Sequence, residues 1–242
     1  MPPRLFVDQP LAQRSSFDLP AAAARHAQVL RLQPGNGVTL FDGGGGEWSA
    51  RITAMDRRAV QVDVIEHQAL EREAAVAVTL ALAMPANDRM DALVEKATEL
   101  GVIAIVPLRT DRSVLRLAGE RAERRQAHWQ AIAVAACEQC GRNRVPAVHA
   151  VQPMADWLAT LPRDAAGGAR WLLGWRDAAA WTRRPMSTAG RVTMLSGPEG
   201  GLSDGEEDMA RVCGFASVSL GTRVLRADTA PLAALAAITL AA

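Results

Sequence analysis

No run of eighteen apolar residues free of charge occurs in this sequence, so no membrane-spanning helix is predicted. The N-terminal MPPRLFVDQPLAQR holds no apolar stretch long enough for a signal peptide. The expectation is a soluble, cytoplasmic protein. Cysteine is scarce: Cys137, Cys140 and Cys213 make no disulfide framework. Cys137 and Cys140 form a C-x-x-C inside AIAVAACEQCGR, which reads as a helix end. No second C-x-x-C completes a four-ligand zinc set, so no metal is assigned. Lysine is nearly missing as well; Lys96 stands alone and the other basic residues are arginines. A formal net charge of +1 predicts no nucleic-acid partner by itself, and the abundant alanine fits a GC-rich genome as well as it fits any function.

What is present bounds the architecture. The 242 residues are 49% apolar, enough for a sizeable core, in one large domain or a small one plus a medium one. Charge is unevenly placed. Between positions 105 and 145 eight arginines face four acids, whereas positions 196 to 210 hold five acids and no base. A charge run is usually a solvated face, yet this asymmetry would also set a basic surface beside a compact site.

The first seventy residues read as strand-rich. Alternating apolar positions predict strands over 38–41, 48–53 and 60–65, with a short helix over 21–32. Glycines 43 to 46 lie between two such runs and are read as a hairpin turn; a phosphate loop would need a helix directly after it. The unit is barrel-like or sandwich-like. After a polar connector at 67–75 the pattern changes to short apolar runs (76–83, 102–107, 171–174, 192–196, 216–220) alternating with helices. Those helices are placed over 89–100, ending at Gly101, over 122–139, after the S-x-x-E capping box of Ser203 and Glu206, and from about Asp228. This alternation predicts an α/β fold with a parallel sheet.

Parallel α/β folds bind ligands beyond the carboxyl ends of their strands. Three loops occupy that position: Leu173-Gly174-Trp175, Ser196-Gly197-Pro198-Glu199-Gly200-Gly201, and Leu220-Gly221-Thr222-Arg223-Val224-Leu225-Arg226. Glycines let the main chain approach a ligand closely, which suits an adenine or a ribose; a tight turn would use them equally. The second loop matches neither G-x-x-x-x-G-K-[ST] nor G-x-G-x-x-G, which disfavours the usual ATP and NAD sites.

EKATELGV (95–102), AACEQCGRNRVP (135–146), SGPEGGLS (196–203) and SLGTRVLRADTAPLAAL (219–235) resemble the RsmE family of SPOUT-class methyltransferases. RLFV (4–7), HAQVLR (26–31) and LFDG (40–43) match it too, so the resemblance spans almost the whole chain in order. It implies methylation of N3 of a uridine in 16S ribosomal RNA of the small subunit, S-adenosylmethionine as cofactor, and a homodimer. It also implies a PUA-like RNA-binding barrel over residues 1–70 and a SPOUT α/β trefoil-knot domain over 75–242. By position the cofactor contacts would be Leu173, Gly174, Gly197, Gly200, Gly201, Leu220 and Leu225, with Ser196, Glu199, Gly221 and Val224 in the same loops. Two departures stand out. Ala227 and Asp228 replace the family's Thr-Glu pair, and Ala86-Asn87 precede Asp88 where a lysine is common.

Uracil N3 must lose a proton before it accepts a methyl group, and the charge then spreads onto two carbonyl oxygens. Arg226 is the first candidate to stabilise that charge, followed by Arg142 and Arg144. Glu138 and Asp228 are candidate proton acceptors, beside water. Candidate RNA contacts are Arg4, Arg14, Arg25, Arg31, Arg112 and Arg144. A related knotted enzyme acting on tRNA or a ribose hydroxyl, and an RNA-binding protein without catalysis, stay open as alternatives.

Overall fold

The computed structural model describes residues 2–85, 89–162, 168–174, 179–180 and 190–240. The chain divides into two compact units: residues 1–73 with 134–145, and residues 74–133 with 146–242. The departure at Ala86-Asn87 and Trp175 of the first loop fall outside the described residues.

The first unit contains β1 (Arg4–Phe6), β2 (Ser16–Asp18), α1 (Ala21–Val29), β3 (Gly37–Phe41), β4 (Glu47–Met55) and β5 (Val60–Gln68). Its five-stranded sheet has the order β1-β3-β4-β5-β2. Glycines 43 to 46 close the antiparallel β3–β4 hairpin, in which Leu40 faces Trp48. The pleat sends Val60, Val62 and Val64 inward, where they meet Leu5, Leu40, Ile52 and the alanines of α1. Helix α1 ends earlier than its apolar pattern suggests. Arg31 turns left-handed at φ 55°, and the Leu32 N–H reaches back to the Ala27 carbonyl, a closure usually made with glycine.

Residues 134–145 complete this unit. Arg4 donates to Glu47 (2.6 Å) and to Asn143 Oδ1 (2.6 Å), and Arg72 bridges Glu47 and the Gly141 carbonyl. Buried Arg142 is bonded to Glu73. Burial raises the Glu47 pKa, but the hydrogen bonds and charges of Arg72 and Arg4 outweigh it and hold the carboxyl below its ordinary range.

The second unit contains β6 (Ala77–Ala83), α2 (Arg89–Glu99), β7 (Ala104–Arg109), the first part of α3 (Gly119–Cys140), β8 (Ala147–Val148), β9 (Gln152–Pro153) and α4 (Met154–Thr160). There follow β10 (Ala169–Leu173), β11 (Ala179–Ala180), β12 (Arg191–Ser196), α5 (Asp204–Val212), β13 (Ala216–Ser219) and α6 (Thr229–Thr239). The sheet order is β11-β13-β10-β12-β6-β7-β8, with β9 also paired to β7, and every pairing among these strands is parallel. Strands β6 and β12 are buried almost continuously, as a strand covered on both faces must be. Gly101, at φ 89°, ends α2. The left-handed turn lets the Val102 N–H close on the Ala97 carbonyl and feeds the chain into β7.

Candidate functional site

Strand β10 lies between β12 and β13, parallel to both. In that register Leu173 is level with Ser196 on one side and Val218 on the other. Three neighbouring strands therefore release their loops at the same edge. Since β12 continues toward β6 while β13 lies on the far side of β10, this edge is the topological switch point where α/β sheets form their crevices.

A cavity of about 610 Å³ opens there, within the roughly 300–1,000 Å³ span of small-molecule sites. All eleven candidate cofactor residues except Gly221 line it: Leu173 and Gly174 from the first loop, Ser196, Gly197, Glu199, Gly200 and Gly201 from the second, and Leu220, Val224 and Leu225 from the third. Gly221 stands beside them, exchanging hydrogen bonds with the Ser219 side chain. Arg226 also lines the cavity and is exposed.

The loop glycines combine open backbone with close packing and a tight turn. The Gly174 N–H is bonded to the Val218 carbonyl, and a Cβ at Gly174 would meet no atom of the described residues within 4 Å. A Cβ at Gly197 would come 3.1 Å from the Leu202 nitrogen. Gly201, at φ 70°, turns the chain back through an N–H bond to the Pro198 carbonyl. Apolar Leu172, Leu173, Leu202, Leu220 and Leu225 wall the cavity while Glu199, Asp204 and Glu207 place carboxylates in it. Apolar walls with a few polar acceptors and exposed backbone fit a purine nucleoside carrying an amino-acid tail, the form of S-adenosylmethionine.

Helix α5 starts on the capping box anticipated at Ser203 and Glu206. Glu206 does more than cap: its Oε1 accepts from the Asp111 N–H (2.8 Å) and its Oε2 from the Ser203 N–H (2.9 Å). Arg112 lines the cavity and donates to the carbonyls of Gly200 (3.0 Å) and Leu202 (3.1 Å). Arg89 pairs with Glu199 at 3.2 Å. Sequence reasoning did not reach Arg89, Asp204, Glu207 and Ser217, which line the cavity and lie outside the three loops, and it did not single out Arg223 within the third loop.

Other candidates lie elsewhere. Glu138 accepts from the Phe6 N–H (2.9 Å) and pairs with His26 (2.9 Å), and Arg142 pairs with Glu73, all in the first unit. Arg4 is held there by Glu47 and Asn143, and Arg144 by Glu71 at 3.2 Å. Arg14, Arg25 and Arg31 are exposed on that unit. Asp228 lines a second groove with Arg89, Lys96 and Leu232. Burial pushes the Cys137 thiol up to about 12, and the described residues contain no His, Cys, Asp or Glu cluster able to hold a metal.

Fold and cavity define the class. The family model described as an RNA methyltransferase domain matches residues 72–239, and one described as an RNA methyltransferase PUA domain matches residues 19–65. A ribosomal RNA small subunit methyltransferase E from Synechocystis is 35% identical over 213 residues, covering 87% of this chain and 68% of its own. The Bacillus subtilis protein of that name is 28% identical, covering 97% and 95%. The crystal structure of a Neisseria gonorrhoeae methyltransferase of that name, bound to S-adenosylmethionine, superposes with a TM-score of 0.92 at 36% identity, covering 98% of this chain and 97% of its own. A Legionella pneumophila methyltransferase in complex with the same cofactor gives 0.92 at 30% identity, covering 100% and 98%. The chain belongs to the ribosomal RNA small subunit methyltransferase E family.

Proposed function

We propose that this chain methylates N3 of a uridine in the 16S RNA of the small ribosomal subunit, with S-adenosylmethionine as donor. One observation carries the reading: three loops from adjacent parallel strands converge on a single cavity that Arg226 also lines. The family's small-subunit RNA methyltransferases support the substrate class, and the cofactor-bound structures support the donor. In the same reading residues 1–70 form a PUA-like RNA-binding barrel and residues 75–242 a trefoil-knotted SPOUT domain. The protein works as a cytoplasmic homodimer. No described helix is long and apolar enough to cross a membrane.

When bound, the cofactor supplies a methyl group already made electrophilic by a sulfonium. The protein's task is to position and to neutralise. The glycine loops hold the donor by backbone groups, and fixing the reacting atoms can lower the barrier by about 7–11 kcal/mol. The target base leaves its stack to reach the cavity. Arg226 then faces the negative charge that the pyrimidine oxygens gain once N3 has given its proton to water. Glu138 and Arg142, engaged within the first unit, are assigned to holding residues 134–145 in place. Arg14, Arg25 and Arg31 remain exposed for phosphate contact.

The direct test is mass spectrometry of small-subunit RNA from cells lacking this chain, where one N3-methyluridine is expected to disappear; an unchanged RNA sinks the proposal. Arg226→Ala should lower kcat by about 100- to 1,000-fold and leave S-adenosylmethionine affinity within about twofold. Full turnover in that variant removes Arg226 from the chemistry.

A further inference from the structure

We propose that residues 110–113, directly after β7, are a clasp that holds the 196–203 loop in its cofactor-receiving shape, with Arg112 and Glu206 as its positioning residues. The inference rests on the cofactor reading of the cavity, and it gives Arg112 a different task from the RNA contact suggested by its place in an arginine-rich stretch.

A loop that offers its backbone to a ligand cannot also tie that backbone to itself. Within the glycine run the Gly201 N–H makes a turn bond to the Pro198 carbonyl. Further support comes from outside. The Arg112 Nη1 donates to two loop carbonyls, Gly200 at 3.0 Å and Leu202 at 3.1 Å. A Cβ at Gly200 would lie 3.4 Å from Arg112 Cβ and 3.6 Å from its Cδ, at ordinary contact distance, so the arginine stem packs along the loop. Glu206, only 5% exposed, ties the same two segments a second time. One oxygen takes the Asp111 N–H and the other the Ser203 N–H, and Ser203 Oγ in turn reaches Asp111 Oδ2 at 2.7 Å.

The clasp is itself braced. Thr110 and Ser113 are buried and their hydroxyls meet at 2.7 Å, while the Ser113 N–H returns to the Thr110 carbonyl. A capping box needs Glu206 to reach only the backbone of Ser203; the bond to residue 111 serves no helix end. Arg112 also lines the cavity with Glu199, Asp204 and Glu207, which come from a stretch with no base of its own. Charge-assisted bonds of this kind are the stronger ones, and a loop fixed in advance spares the ligand the cost of ordering it.

The experiment uses the full chain, with S-adenosylmethionine affinity by calorimetry, binding to a small-subunit RNA fragment across a salt series, and KM for each substrate. Arg112→Met keeps the aliphatic stem and removes the donors. It should raise Kd and KM for S-adenosylmethionine by roughly tenfold or more and leave RNA affinity and its salt slope unchanged. Arg112→Lys, with one point donor, should recover part of the loss and also serves if the Met variant fails to fold. Glu206→Gln is the sharper case, because Glu206 does not line the cavity; weaker cofactor binding there must pass through the loop. Cofactor affinity within twofold of the parent in both variants overturns the clasp. A shallower salt slope for RNA with unchanged cofactor affinity overturns it in favour of a phosphate contact. A parent protein that binds no S-adenosylmethionine removes instead the reading of the cavity on which the clasp depends.

Discussion

Gly197→Ala tests the cavity with one methyl group. Gly197 follows β12 directly and has an ordinary negative-φ or extended backbone, unlike Gly201. An alanine is therefore not strained by φ, and only the space for its Cβ is at issue. That Cβ would lie 3.1 Å from the Leu202 nitrogen, 3.2 Å from Leu202 Cγ and 3.3 Å from the Gly201 carbonyl carbon. Each contact is a few tenths of an ångström too close, so residues 201 and 202 must move. Their freedom to do so is small. Leu202 is packed in the core with Leu172 and Leu195, its carbonyl is held by Arg112, and Gly201 is bonded to Pro198. Overpacking of this degree costs about 1–3 kcal/mol, and at about 1.4 kcal/mol per factor of ten the receiving shape of the loop becomes roughly five- to a hundredfold less favourable. The loss of chain freedom in the unfolded state returns about 0.4–1 kcal/mol to stability, so the thermal midpoint should move by only a few degrees. Calorimetric titration with S-adenosylmethionine beside a melting curve reads both quantities. An unchanged Kd would refute the reasoning, because the loop would then yield freely. A collapse of the midpoint with intact affinity would refute it differently, by making Gly197 a folding residue.

Glu47 is ionised more readily in the folded chain than in the unfolded one, so its stabilising effect is complete above the ordinary glutamate pKa of about 4.3 and is lost as pH falls through the lower folded value. Glu47→Gln should cost about 2 kcal/mol at neutral pH and flatten the acid limb of urea-unfolding curves; a parallel acid limb in both proteins contradicts this. Cys137, whose thiol is pushed up to about 12 by burial, holds on the order of 1 in 10,000 of its population as thiolate at pH 8. Iodoacetamide on the native protein should label Cys140 and Cys213, which are only partly buried, well before Cys137. Equal labelling by peptide mass spectrometry counts against the burial argument.

The strands that build the sheet were legible because each is a short apolar run: β6, β7, β10, β12 and β13 lie within one or two residues of their expected places. Helix ends at Gly101 and Ser203 were legible from single residues with defined backbone roles. The small elements were not. Strands β1, β2, β8, β9 and β11 have two or three residues each, and α4 has seven, too few for a period to register. In the site, loops could be placed because they follow strands, whereas Arg89, Asp204 and Glu207 reach the cavity from positions without a local signature. Arginine was the least readable residue. In the sequence Arg4 and Arg144 look like phosphate ligands and Arg142 like a partner for the uracil oxygens, but their carboxylate or amide partners, Glu47, Asn143, Glu73 and Glu71, are set beside them only by the fold.

The first unit is assembled from two stretches of chain, with sixty residues of the other unit strung between them. During synthesis its sheet can emerge early, with Arg4 and Arg72 already able to reach Glu47, yet Glu73 and the second partners of both arginines must wait for residues 141 to 143 to leave the ribosome. A fragment cut after the connector would leave Glu73 without Arg142 and hold Arg4 and Arg72 through Glu47 with their backbone and amide partners missing. Anyone transplanting this module onto another enzyme has to move both stretches together.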